Sequence, residues 1–412
     1  MSAAPALRPP RTVLLVQAAA AALTAASLGW TLWHGLAQPG IALAFGLLIA
    51  VGELARWGAR PGEREPAPLG AAGALAYALL GKSAGETAEH GVPQVVAVVV
   101  AGALVGAVPH VALGRGPDPD QMARRVLTVS FAAVCFQPLR TAAAPRHVLY
   151  LLLILALTAL CDAVLAALLL RARTGYPYGP LLRDELRALP GVGSAVCASG
   201  AVMALAVAVA GLWALPVLCV PLLLTQLAFR RYAAVRRTYR QTIASLARAT
   251  EVAGYTPPGH AHRVAALSRA VGRELGLAGE DLTVLEYAAL MHDIGQLSLV
   301  DPVPEGATAL LPAAEQRRIA LLGGAVVRRT GVPAAVAVVV ERQADPYYEQ
   351  PLAARIVRAV NAYDDLSGES AQGGLRALEH LRLGTARDYH PAVVESLVGV
   401  LARGGVEGRV PG

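Results

Sequence analysis

Lysine is almost absent from this chain: of its 36 basic residues only Lys82 is a lysine, and the rest are arginine. Such one-sidedness points to coding bias. A nucleic-acid interface needs its basic residues gathered on one face. Here the arginines flank apolar segments and the net charge is a modest +7, so no nucleic-acid partner is expected. Cysteine is scarce as well. Cys135, Cys161, Cys197 and Cys219 all fall inside apolar stretches, and nothing after Cys219 is a cysteine. A disulfide framework and a zinc–thiolate site are thereby excluded from the C-terminal half. Charged residues are only 16% of the sequence and aromatics 5%, while 55% is apolar, above the roughly 45–50% of ordinary soluble proteins.

The apolar excess ends near Phe229, which divides the chain into a membrane region, 1–229, and a soluble remainder. A helix that crosses the hydrocarbon core needs about 20 apolar residues. Segments 12–34, 92–113 and 148–170 have that length, and 41–57 is slightly shorter. Segment 192–229 suits two helices that turn near Gly211-Leu212-Trp213, whereas 67–80 and 126–139 are short. The first run lacks a cleavage site and is expected to be a retained span. No repeated pair of Gly/Pro-broken helices suggests a transporter.

Charge asymmetry decides between six spans and eight. With eight and the N-terminus inside, the inner segments hold Arg8, Arg11, Arg56, Arg60, Arg64, Arg115, Arg124, Arg125, Arg171, Arg173, Arg183 and Arg187. The outer segments then hold only Lys82, Arg140 and Arg146, and the last span exits into Arg230, Arg231, Arg236 and Arg237. This obeys the positive-inside rule. Six spans would put Arg115, Arg124 and Arg125 outside. The expectation is a multi-pass cell-membrane protein, in contact with membrane lipids, with both termini and the soluble domain cytoplasmic. Glu53, His110, Asp162 and Gln226 lie in or near the spans. Asp162 is the foremost site candidate among them, with an interhelical hydrogen bond to a nearby Thr or Ser as the plainer expectation. Residues 230–250 have helical periodicity without Gly or Pro and predict a juxtamembrane connector.

The soluble part predicts helices over 260–276, 282–294, 313–330, 334–342, 352–366 and 391–403, with no strand alternation. The fold class is therefore all-α: a helical membrane bundle followed by an all-α domain. Its chemistry concentrates in His260 and in the adjacent His292-Asp293. Imidazole and carboxylate both suit a divalent Mn, Fe or Zn ion, and two helices each presenting a His can build a site inside a bundle.

Wider context makes these residues specific. Tyr255-Thr256 with Gly259-His260-Ala261-His262-Arg263-Val264 resembles the YTxxGHSxRV motif of the HD-GYP family within the HD superfamily. Ala289-Leu290-Met291-His292-Asp293-Ile294-Gly295 resembles its ALLHDIGK. The run from Ala354 through Asn361-Ala362-Tyr363-Asp364-Asp365-Leu366 resembles its ARILAVADAFDAL, and Gly384-Thr385 with His390-Pro391-Ala392-Val393-Val394 resembles its terminal GTQFDPxLV. The resemblance implies an HD domain over 251–403, an expected disordered tail at 404–412, and cyclic di-GMP phosphodiesterases as well-known relatives.

The resemblance also carries departures. It implies metal ligands at His260, His292 and Asp293, with Asp293 as the catalytic residue, and it puts Asn361 where the family has a fourth, acidic ligand. The family's RRHP reads Arg317-Arg318-Ile319-Ala320, and its HHExxDGxGYP stretch falls near Glu341 to Tyr348 without the two His ligands or the Gly-Tyr-Pro. The Lys after HDIG is Gln296. The expectation is at most one divalent metal per domain, weakly held, acting on a nucleotide or other phosphate ester, with little or no hydrolysis of cyclic di-GMP. The alternative is an inactive module that binds a nucleotide or a protein partner. A homodimer is expected. His262, His380 and His390 are expected outside the ligand set.

Overall fold

The computed structural model describes residues 10–56, 68–114, 116–139, 144–277, 279–303, 306–368 and 370–403. Arg8, Arg60, Arg64, Arg115 and Arg140, which enter the charge asymmetry, lie outside the described residues, as do the tail 404–412 and the side chains of Arg146, Arg236 and Arg237. The chain divides into two compact units, Met1–Ala233 and Ala234–Gly412. Among the described residues the only strands are a two-stranded hairpin, Lys82–Ser83 with Glu86–Thr87. The fold is all-α, as the sequence predicts.

The first unit holds α1 (Arg11–His34), α2 (Pro39–Leu54), α3 (Pro68–Ala78), α4 (Val92–Ala112), α5 (Pro119–Phe136), α6 (Ala144–Thr174), α7 (Tyr178–Ala188), α8 (Ser194–Ala210) and the start of α9 (Ala214–Val252). Among the described residues, four stretches are long and apolar enough to cross a membrane: Arg11–His34, Val92–Ala112, Leu149–Thr174 and Ser194–Ala228. The last is broken by a 3-10 turn at Gly211–Trp213, where Gly211 takes φ +68°, a left-handed conformation that favours glycine. This is the turn that the length of the apolar run requires. Helix α3 has 11 residues, and Leu69 through Leu80 are almost all buried. A helix this short spans about 16 Å, roughly half of the hydrocarbon core, and it is apolar all round because its neighbours enclose it.

Polar contacts order the bundle end to end. At one end, Gln94 of α4 joins Ala37, before α2, and Tyr77 of α3, while His90 Nε2 meets the Tyr77 carbonyl at 3.1 Å. Ala84 and Gly85 of the hairpin bond the carbonyls of Val207 and Ala208 on α8. At the other end, Arg125 of α5 pairs with Glu53 of α2, Arg173 of α6 pairs with Asp120 of α5, and Arg230 donates to the Ala55 carbonyl at 2.6 Å. Successive apolar helices thus run in alternating directions, with charge gathered at one end. Helices α2 and α4 approach closely: a Cβ on Gly106 would lie 2.3 Å from the Ala50 carbonyl oxygen, and one on Gly102 would lie 2.7 Å from that of Gly46. Small residues permit such contact between membrane helices.

Two sequence expectations change here. Arg124 and Arg125 are not loop residues but lie in α5, which starts earlier because Asp118 caps it, accepting from the Asp120 amide at 3.0 Å. Asp162 bonds no Thr or Ser; Arg124 holds it through two bonds, 3.1 and 2.7 Å. The charge that would isolate Asp162 in lipid is thereby matched.

The second unit contains the end of α9, then α10 (His260–Glu274), α11 (Gly279–Met291), α12 (Ala313–Arg328), α13 (Ala334–Arg342), α14 (Leu352–Ser367), α15 (Ala371–Leu383) and α16 (Pro391–Ala402). Ile243 and Ala247 of α9 are buried in its core with Val264, Leu285, Met291, Ile356 and Leu397. Helix α11 starts three residues before the predicted helix and stops at Met291, so that Ile294 falls in a 3-10 turn, Ile294–Ser298. Helix α15 is absent from the sequence reading. Ser370 caps it, and Ala377 and Leu381, one turn apart, are fully buried, but Gly373-Gly374 in its first turn weakens the helical signal.

Candidate metal centre

Three elements bring the site together. His260 opens α10, His292 and Asp293 sit in the turn that follows α11, and Asn361 lies in the middle of α14. The turn after α11 fits because residue 295 is glycine: a Cβ there would come within 2.1 Å of the Ile319 carbonyl oxygen on α12. That close approach explains the Gly of His292-Asp293-Ile294-Gly295, since any side chain would push the two catalytic candidates away from α12.

His260, His292 and Asp293 form one buried cluster. The two Nε2 atoms are 3.3 Å apart, and Asp293 Oδ2 is 3.3 Å from one and 3.2 Å from the other. Donors held about 2.0–2.2 Å from a single ion are separated by roughly this much. The remaining ring nitrogens fix the tautomers. Nδ1 of His292 meets the Ala289 carbonyl at 2.8 Å, and Nδ1 of His260 meets Asp364 Oδ2 at 2.8 Å. Both acceptors can only accept, so each Nδ1 carries a proton and each Nε2 faces inward, where a bound ion would displace any proton it holds. Metal-binding histidines are oriented in this way.

Asn361 Oδ1 lies 2.9 Å from His292 Nε2, while its amide nitrogen donates to Thr308 Oγ1 at 3.1 Å. The Thr308 hydroxyl donates to Asp293 Oδ1 at 3.4 Å. Asp293 Oδ2 is buried and has no hydrogen-bond partner. The centre is therefore a convergence of acceptors that only a proton or a cation can reconcile, and a divalent ion fits this donor set.

Electrostatics agree. Burial opposes charge on the His260 imidazole, but Asp293 and Asp364 outweigh it and push the group up to about 10. His292 is likewise raised against its burial, chiefly by Asp293. Burial pulls Asp293 up, yet the two imidazoles hold it well below the usual carboxylate range. Asp364 is also lowered against burial, by His260 and Arg263. Burial and the neighbouring Asp293 raise Asp365 to about 6. The field favours positive charge where the imidazoles meet.

The site opens into a cavity of about 260 Å³ lined by Asp293, Thr308, Gln343, Arg358, Asn361 and Tyr389 among others. Gln343 falls in the stretch compared above with the HHExxDGxGYP motif, and its Nε2 donates to the His292 carbonyl at 2.9 Å. It supports the turn without adding a ligand. Gln296 is fully buried.

All four residues singled out from the sequence come together. His262 and His390 stay outside the cluster, as expected, whereas His380, though exposed on α15, lines the cavity. The sequence reading missed Asp364, Asp365 and Thr308 as parts of the site. The two acids had a signal: they lie three and four residues after Asn361, on the same helical face. Thr308 had none, since it reaches Asp293 from a loop.

Residues 259–366 match the family model of the HD domain. No curated protein and no solved structure matches the chain. The second unit thus contains a domain of the HD superfamily, whose members are typically all-α and bind divalent metals, and this one carries a His-His-Asp cluster suited to that role.

Proposed function

We propose that this chain is a membrane-anchored HD-domain phosphohydrolase of a reduced HD-GYP type, using one divalent ion against a small phosphate ester. The observation that carries the reading is the convergence of His260 Nε2, His292 Nε2 and the unpartnered Asp293 Oδ2 at the mouth of a cavity. A bound Mn, Fe or Zn ion would supply Lewis acidity and a source of hydroxide near neutral pH. His260, His292, Asp293 and the Asn361 carbonyl oxygen would hold it. Asp364 and the Ala289 carbonyl keep the imidazoles aligned. Arg358 lines the same cavity and is suited to a phosphate oxygen.

The cavity, about 260 Å³, is small beside the roughly 300–1,000 Å³ of pockets for drug-sized ligands. A phosphomonoester or a mononucleotide suits it better than a cyclic dinucleotide. The missing histidines near Gln343 point the same way. The full-length protein in detergent with Mn²⁺ should hydrolyse a generic aryl phosphate, and His292→Ala should abolish that activity. Cyclic di-GMP should remain intact; turnover of about 1 per second or more would reject the reduced-site reading.

The first unit supports membrane anchoring by eight alternating helices, the charged end facing the cytoplasm. Topology reporters should place the hairpin at Gly85 outside and the C-terminus inside. A cytoplasmic signal at Gly85 would refute this orientation.

A further inference from the structure

Asn361 leaves the centre one carboxylate short of the acidic set that the related motif carries, yet a second buried carboxylate stands beside it. Asp365 is one helical turn further along α14, on the same face as Asn361, and its side chain is 3% exposed. In the motif ARILAVADAFDAL, which this helix resembles, the position of Asp365 is alanine. Compared with that motif, the acid stands four residues later in this helix.

The carboxylate is aimed by its own bonds. Oδ2 accepts from the Ala309 amide at 3.0 Å and from the Asn361 amide nitrogen at 3.4 Å. Oδ1 then turns towards the imidazoles, 3.9 Å from His260 Nε2. Two donors of one ion at about 2.1 Å are at most roughly 4.2 Å apart, so at 3.9 Å Asp365 and His260 can face one ion, and a movement of the Asp365 side chain would bring it to the set of His260, His292 and Asp293. The opposing Asp293 Oδ2 is buried with the two imidazole nitrogens beside it at 3.3 and 3.2 Å, a setting that suits a cation.

We propose that Asp365 supplies the second carboxylate of the metal centre, in place of the acid missing at Asn361. The inference rests on the metal-binding reading above and adds a ligand to it. The amide of Asn361 then has a definite part. It bridges Asp365 Oδ2 and Thr308 Oγ1 while its oxygen faces the imidazole of His292; the amide donates where a carboxylate could only accept.

Binding of Mn²⁺ to the full-length protein in detergent, followed by calorimetry and by the spin resonance of the ion, tests this without reference to turnover. Asp365→Asn keeps the shape and the acceptor for the Ala309 amide, so the fold should be retained. It should weaken binding by about tenfold or more, at the scale on which groups around a metal act. The exchange Asn361→Asp with Asp365→Ala returns the acid to the earlier position and should restore wild-type affinity to within a few-fold. If Asp365→Asn binds as tightly as wild type while His292→Ala does not bind, the role of Asp365 is overturned and the metal reading stands. If His292→Ala also binds as wild type, both fall.

Discussion

Glu53 in the first unit and Asp293 in the second are both almost fully buried, at 3% and 4% exposure, yet their surroundings differ in kind. Glu53 pairs with Arg125 and has Arg56 at 3.7 Å. Two other acids of that bundle are treated alike: Asp162 meets Arg124, and Asp120 meets Arg173. Asp293 has no arginine partner but two imidazoles, with an oxygen left over. Guanidinium is always charged and presents its donors in a fixed fork, so a carboxylate matched to it is spent on holding helices together. Imidazole can give up its proton to a metal. A buried acid surrounded by histidine therefore marks a site, and one surrounded by arginine marks a joint.

The largest difference should appear when each acid is neutralised. Glu53→Gln removes the carboxylate from a buried ion pair with Arg125 and should cost about 3–5 kcal/mol, read from unfolding of the full-length protein in mixed micelles. Asp293→Asn, measured with a chelator present, should cost only about 1–2 kcal/mol, because its histidine neighbours can shed a proton and arginine cannot. Equal losses would erase the distinction drawn here.

Metal should stabilise one unit alone. At a Mn²⁺ concentration about 100 times the dissociation constant, binding adds roughly 2.7 kcal/mol. Hydrogen exchange should slow in α10, α11 and α14 and stay unchanged in α2 and α5. Protection that spread equally over both sets would argue against a site confined to the HD domain.

A smaller gain should follow from adding charge at the centre. Asn361→Asp should tighten Mn²⁺ binding by about tenfold, or roughly 1.4 kcal/mol, and His292→Ala in the same background should remove the gain. An unchanged affinity in the calorimeter would mean that residue 361 does not face the ion.

The least effect belongs to pairs on the surface. Arg318 lies 3.9 Å from Glu315 with both side chains about half exposed or more, at 65% and 49%. Arg318→Gln should shift stability by no more than about 0.5 kcal/mol. A loss comparable to that of Glu53→Gln would show that burial is not what separates the two classes of charge.

Much of this was legible beforehand, and the reasons are local. Apolar length marked the apolar helices of the first unit, including the turn at Gly211, because the hydrocarbon core sets a minimum span, but it did not mark the more polar α7. His260 and His292-Asp293 stood out because two short motifs surround them. Helix α15 was hidden by Gly373-Gly374, although Ser370 and the buried Ala377 and Leu381 carry a helical pattern. Arg124 and Arg125 were misplaced because charge next to an apolar run reads as a loop until a partner for it is known.

By itself, then, the amino-acid order determined the all-α class, the division between a more apolar and a less apolar half, and the identity of His260, His292, Asp293 and Asn361 as the residues to watch. Those properties depend on period, length and spacing, which are written along the chain. Only the tertiary structure decided which arginine each buried acid of the first unit meets, and that Asp364, Asp365 and Thr308 join a centre built from α10, the turn after α11 and α14. Such pairings depend on distances between segments as much as 104 residues apart, and electrostatic and hydrogen-bond partners at that separation are chosen by packing, which no local pattern records.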